Sequence, residues 1–254
     1  MGQSRRAEGL TMRFELFAEY FPALLAGIPM TLKLAGLSLF IGFFLAVVLA
    51  VLRTSGIRPL EAFVRSYVYV FRGTPLLVQI FLIYYGTGQF DFIKESFLWP
   101  VLREAYWCAI IALTLNTGAY TSEIIRGGIE SVPWGQVEAA KACGMNVWLR
   151  FRRVVFPQAI RQALPGYGNE IILMVKSTSL ASTVTLLEIT GIARKIVSQT
   201  YAPLELFIMA GAIYLTIVFV ITRAVDMLEN RLSPDLMARR HVKNAAERDI
   251  ASVH

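Results

Sequence analysis

Apolar residues along this chain run in long blocks, and the polar ones gather between them. A helix needs about 20 mostly apolar residues to cross the hydrocarbon core of a bilayer, and five blocks reach that scale: 24–52, 64–90, 106–125, 160–187 and 204–225. The first is uncharged apart from Lys33, the third until Glu123 and the fifth until Arg223. The second is interrupted near its start by Arg72-Gly73-Thr74-Pro75, and the fourth by Glu170 and Lys176. The pattern predicts an all-α, polytopic membrane protein: an N-terminal segment over 1–22, a five-span domain over 23–229, a polar loop over 126–157 between spans three and four, and a polar tail over 230–254.

An odd number of spans puts the termini on opposite sides, so the basic residues test one orientation. Arg53, Arg58 and Arg65 follow span one. Arg126, Lys141, Arg150, Arg152, Arg153 and Arg161 follow span three, and Arg223, Arg231, Arg239 and Arg240 follow span five. The intervening connections mix Asp91, Lys94, Glu95, Arg103 and Glu104, then Glu188, Arg194, Lys195 and Glu205, with little net charge. The basic side is the cytoplasmic one, which leaves the N-terminus outside and the C-terminus inside.

Composition agrees: 56% hydrophobic and 17% charged residues, with a mean hydropathy of +0.54, are too apolar for a soluble domain of 254 residues. A net charge of +7 could suit nucleic acid, but the charges sit between apolar blocks rather than on one amphipathic face, so no nucleic-acid partner is expected. Glu8, Glu15 and Glu19 offset Arg5, Arg6 and Arg13, and no short apolar core with a small-residue cleavage site follows, which argues against a removable signal peptide. Cys108 lies in an apolar block and Cys143 in the polar loop, so no disulfide framework is implied. His241 and His254 lie in the tail without partners at metal-ligand spacing. Neither a catalytic group nor a metal site is expected, and no phosphate-binding loop occurs. Any energy for uphill movement must come from a partner or an ion gradient.

Polar residues inside the blocks carry the remaining information. Asn116, Tyr120 and Glu123 share one helix face, which faces a cavity or bonds to neighbouring helices. Block four holds Asn169 and Glu170 beside Gly166 and Gly168, which permit a bend. Glu170 suits a substrate cation, or it and Lys176 are structural. The Arg72–Pro75 interruption reads best as a packing kink, Tyr67, Tyr69, Phe71, Tyr84 and Tyr85 as interfacial aromatics, and Gly36 and Gly42 as sites of close helix approach.

In the polar loop, Glu138-Ala139-Ala140-Lys141-Ala142-Cys143-Gly144 is a helix-forming stretch, with Val154-Val155-Phe156-Pro157 ten residues on. Ala139, Ala140 and Gly144 lack bulk, so a partner can approach the backbone, and Glu138 offers a carboxylate to a basic partner. Gly144 ends the helix, and Pro157 opens the next span.

Glu138-Ala139-Ala140, Gly144, Val154 and Phe156-Pro157 resemble the EAA loop of permease subunits in bacterial ATP-binding-cassette importers. Met30-Thr31-Leu32-Lys33-Leu34, Phe71-Arg72-Gly73-Thr74-Pro75-Leu76, Leu115 to Glu123 and Gly168-Asn169-Glu170 resemble the polar amino-acid branch, in particular the histidine/lysine/arginine/ornithine and opine importers. The resemblance covers about 23–229 and implies a type I, MetI-like fold in the bacterial inner membrane. It further implies a coupling helix at Glu138, Ala139, Ala140 and Gly144 that sits in a groove of a separate cytoplasmic ATPase, which holds the ATP and Mg, with Arg150, Arg152 and Arg153 as flanking support. A second permease subunit, like or unlike, and a periplasmic solute-binding protein complete the assembly. The pathway positions matching a midplane pocket are Asn116, Glu123, Asn169 and Glu170. A gradient-driven transporter or channel is the alternative; an intramembrane hydrolase would need a nucleophile with a base in reach, and the spans hold no histidine.

Overall fold

The computed structural model describes residues 14–232, whose regular structure is entirely helical. The expectations for the first 13 residues and for the tail from Ser233, including Arg239, Arg240, His241 and His254, lie outside the described residues. Helix α1 (Phe14–Leu25) turns at Ala26-Gly27 into α2 (Ile28–Arg53). Gly27 admits a neighbouring backbone, since a Cβ there would lie 2.6 Å from the Ile189 amide nitrogen. Residues 16–22, expected in a separate N-terminal segment, instead extend the first apolar helix, which runs over Leu16–Arg53.

The second block is not one helix. It divides into α3 (Arg58–Gly73) and α4 (Leu76–Phe81), bent by 105° and followed by a π turn at Leu82–Gly86 and a 3-10 turn at Thr87–Gln89. Proline causes the break: it lacks an N–H, and its ring drives the preceding residue into extended backbone, as seen at Thr74 (φ −112°, ψ 146°). Short helices α5 (Asp91–Lys94) and α6 (Trp99–Leu102) lead into α7 (Ala105–Glu130), the best-buried long helix.

Helix α8 (Trp134–Ala142) occupies the polar loop. The chain then re-enters through α9 (Val147–Arg150), a π turn at Phe151–Val155, and α10 (Phe156–Ser177), which ends in a 3-10 segment at Thr178–Val184. Pro157 lies in the first turn of α10, as expected, and the wider π turn before it continues the helical run back to Val147 and relieves the clash with an upstream carbonyl. Gly166 and Gly168 do not bend α10. They admit neighbours instead, since a Cβ on Gly168 would meet Val225 at 2.4 Å and one on Gly166 would meet Ile124 at 3.1 Å. Helices α11 (Ile189–Thr200) and α12 (Pro203–Leu232) complete the described chain.

Three stretches are each long and apolar enough to cross a membrane: Leu16–Arg53, Ala105–Glu130 and Pro203–Leu232. Two bent pairs, Arg58–Gly73 with Leu76–Gln89 and Val147–Val184 with Ile189–Thr200, bring the number to five when each counts as one crossing. The five expected blocks are all present, two of them broken.

Helix α7 is held against α2 by small residues. A Cβ on Gly42 would fall 2.3 Å from Thr117 Cγ2, and one on Gly118 would fall 2.7 Å from Leu45 Cδ2, so the two backbones approach as close as side chains allow. In lipid, where apolar burial supplies little drive between helices, such contact is the main source of association. Gly36 meets nothing within 4 Å among the described residues. Leu34, Ile80, Leu113, Met174 and Val175 fill the centre between α2, α4, α7 and α10. A second cluster of Leu24, Ile189, Leu206 and Met209 ties α1 to α11 and α12. Phe40, Phe44, Leu215 and Phe219 point outward, as lipid-facing residues do.

Candidate functional site

The break between α3 and α4 exposes backbone carbonyls that no helical partner satisfies, and in an apolar medium each must be bonded from elsewhere. Gln79 does most of this. Its Nε2 donates to the Phe71 carbonyl at 2.9 Å, to the Thr74 carbonyl at 3.1 Å and to Thr74 Oγ1 at 2.9 Å. Asn116, on α7, donates from Nδ2 to the same Phe71 carbonyl at 3.2 Å and to Gln79 Oε1 at 3.0 Å. Tyr67 adds a bond from its hydroxyl to the Leu115 carbonyl at 2.6 Å, which makes it a brace between α3 and α7 rather than an interfacial anchor.

This braced break forms one wall of a cavity of about 450 Å³. Arg72, Thr74 and Pro75 line it from the break, Asn116 and Tyr120 from α7, and Glu170, Met174 and Ser177 from α10. Glu170 is only 6% exposed and accepts one hydrogen bond, from Thr117 Oγ1 at 2.7 Å. No ion pair involving Glu170 occurs among the described residues. A carboxylate kept out of water with a single neutral donor is costly unless a cation completes its shell.

The other sequence-predicted positions separate. Glu123 lies one turn below Tyr120 and is gripped by two arginines, Arg53 Nη1 at 2.5 Å and Arg126 Nη2 at 2.7 Å, while Arg126 also pairs with Glu130. It lines a neighbouring cavity of about 440 Å³ with Arg53, Arg65, Tyr69, Arg72 and Tyr120. Asn169 is exposed and lines neither cavity, because the helical turn that buries Glu170 rotates its neighbour outward. Lys176 does not pair with Glu170; it borders a third cavity with Ser179, Thr190 and Tyr214. Thus Asn116 and Glu170 share one cavity, and Glu123 sits beyond Tyr120. Gln79, Thr117 and Arg72 are the lining and bracing residues that pattern alone did not select; the clue for Gln79 was a polar amide four residues after a proline, inside an apolar run.

The polar loop builds a different surface. Helix α8 ends in a Schellman arrangement: Gly144 takes φ +76°, its N–H donates to the Lys141 carbonyl at 3.0 Å, and the Met145 N–H donates to the Ala140 carbonyl at 3.1 Å. Asn146 Oδ1 then accepts from the Leu149 N–H at 2.8 Å and starts α9. Glu138, Ala139 and Gly144 are exposed, whereas Ala140 is buried against the body of the chain. Trp134 and Trp148 stand 72% and 69% exposed on the same loop, and Gln158 Nε2 donates to Gln136 Oε1 at 2.6 Å, fastening α8 to α10.

Comparison with known proteins adds the family. The nopaline transport system permease protein NocM of Agrobacterium fabrum is 57% identical over 229 residues, 90% of this chain and 95% of that protein. The arginine ABC transporter permease protein ArtM of Haemophilus influenzae is 42% identical over 217 residues, 85% of this chain and 95% of its own length. A crystal structure of an amino acid ABC transporter with histidines superposes with a TM-score of 0.79 at 36% identity, over 87% of this chain and all of that one. Residues 38–234 match the family described as the inner membrane component of binding-protein-dependent transport systems. The chain, with its broken second span and its capped loop helix, belongs to that family of multi-pass membrane permeases.

Proposed function

We propose that the chain is the membrane-spanning subunit of an ATP-driven importer for a cationic or opine-type amino acid, and that the Glu170 cavity receives the substrate. The observation that carries this reading is Glu170 itself: a buried carboxylate on a polar cavity, bonded by one hydroxyl and touched by no cation. An ammonium or guanidinium supplies what it lacks. The relatives named for nopaline and arginine transport are consistent with such a substrate.

Helix α8 is the coupling element. Its exposed Glu138 and Ala139, with Gly144 at its end and uncovered Trp134 and Trp148 beside it, form a protruding surface fit for a groove in an ATPase subunit. Buried Ala140 supports that surface from behind rather than touching a partner. ATP and Mg act on that separate subunit; a second permease subunit closes the pathway from the other side, and a periplasmic solute-binding protein delivers the substrate. The N-terminus lies outside and the basic loops inside. ATP binding draws the two coupling helices together and turns the cavity outward; hydrolysis returns it inward, the ATPase supplying the difference in free energy between the two states.

The test uses the reconstituted complex in proteoliposomes. Glu170→Gln removes the charge without the shape, and uptake of arginine falls by about tenfold or more; unchanged uptake removes Glu170 from the pathway. Glu138→Lys gives assembled complexes with ATP-dependent uptake abolished. Uptake by the permease pair without any ATPase would transfer the assignment to a gradient-driven carrier.

A further inference from the structure

Arg72 belongs to two cavities. It lines the Glu170 cavity and the Arg53–Glu123 cavity alike, as do only Gly73 and Tyr120. Its guanidinium carbon lies over the Tyr120 ring, 5.1 Å from the centroid, so these two side chains form the partition between the spaces. Arg53 and Arg126 are each held by a carboxylate, but no ion pair fixes Arg72 among the described residues. Glu170 lies with it on one cavity and Glu123 on the other. It also sits at the last turn of α3, next to the Gly73–Pro75 break, where the backbone changes direction by 105°.

A guanidinium that is stacked, without an ion pair and set between two acid-bearing cavities resembles a bolt more than a brace. We propose that Arg72 is a tethered stand-in for the cationic end of the substrate: stacked on Tyr120, it closes the passage from the Glu170 cavity to the Arg53–Glu123 cavity, and a substrate cation arriving at Glu170 releases it toward Glu123. This rests on the importer reading above. The competition is built in, because substrate and Arg72 present the same charge to the same carboxylate. Glu123 receives the displaced guanidinium although Arg53 and Arg126 already engage it, since its two oxygens offer more acceptor sites than two arginines fill. Passage is thereby tied to the cation and not to size alone.

The experiment uses the full complex in inside-out vesicles, with Cys143→Ser to remove the exposed native thiol and Ser177→Cys as a reporter on the Glu170 cavity. A membrane-impermeant maleimide added from the cytoplasmic side reads whether the partition is shut. Arg72→Ala and Tyr120→Leu each speed labelling by about tenfold, the scale of one desolvated cation–π contact. Tyr120→Phe keeps the ring and retains the slow rate of the parent, which separates loss of the partition from misfolding. In the same complexes without the thiol changes, Arg72→Ala lowers the KM for arginine about fivefold, because its internal competitor is gone. Equal labelling in the parent, Arg72→Ala and Tyr120→Leu overturns the proposal; so does a raised KM, which would make Arg72 a ligand of the substrate carboxylate. Labelling needs no transport, so a parent complex that takes up neither arginine nor an opine sinks the importer reading and leaves the partition to be judged by the maleimide alone.

Discussion

The chain interrupts its helices with a glycine at two places that matter, and the two breaks are solved in opposite ways. At Gly144 the freed groups are capped by neighbours in sequence: Lys141 and Ala140 offer the carbonyls, and Asn146 starts the next helix. At Gly73–Pro75 the carbonyl of Phe71 is satisfied partly from Asn116, 45 residues away on another helix. The difference follows from the medium. A loop in water can leave some carbonyls to solvent, whereas a break among apolar helices must find all its partners within the protein. A break that recruits distant polar side chains assembles a polar cavity as a by-product, and a break that caps itself makes a free-standing knob.

Substitutions can break this contrast. The largest expected effect is at Gln79, where Gln79→Leu strands the Thr74 carbonyl, leaves the Phe71 carbonyl with Asn116 alone and frees half of the Asn116 amide, costing about 2–4 kcal/mol and lowering the thermal midpoint of the detergent-solubilised complex. If stability is unchanged, the break is not braced in the way described. A double-mutant cycle of Gln79→Leu with Asn116→Leu sharpens the comparison, with a coupling of about 1 kcal/mol, while Asn116→Leu with Gly144→Ala gives additive effects. Gly144→Val forces a branched residue into left-handed backbone and costs about 1–2 kcal/mol. Its signature is local: faster amide exchange at the end of α8, with the cavity unaltered. Smallest is Asn146→Ala, about 1 kcal/mol from loss of a single cap, read as fraying of α9.

The same contrast decides what was legible in the sequence. The Gly144 turn could be read because its chemistry lies within six residues, and the five apolar blocks could be read because length and hydropathy are local sums. Asn116 and Glu170 were selected as polar residues in apolar runs, and they do meet in one cavity. Arg72–Pro75 was read as a packing kink because its partners, Asn116 and Tyr120, are distant in sequence and become neighbours only once α3 and α7 pack. Glu123 and Glu170 looked alike as intramembrane acids, yet one is paired with Arg53 and Arg126 and the other has no ion pair among the described residues. Asn169 fell outside because adjacent residues on a helix point about 100° apart, and only the packing says which of two polar neighbours turns inward.

The near-contact of α2 and α7 at Gly42 and Gly118 has a mechanical corollary. Two rods that touch backbone to backbone through notches cannot slide lengthwise without a side chain climbing out of its notch, so they tilt as a single lever. Force delivered to the α8 end of α7 is then delivered to α2 as well, with no slack lost at the joint.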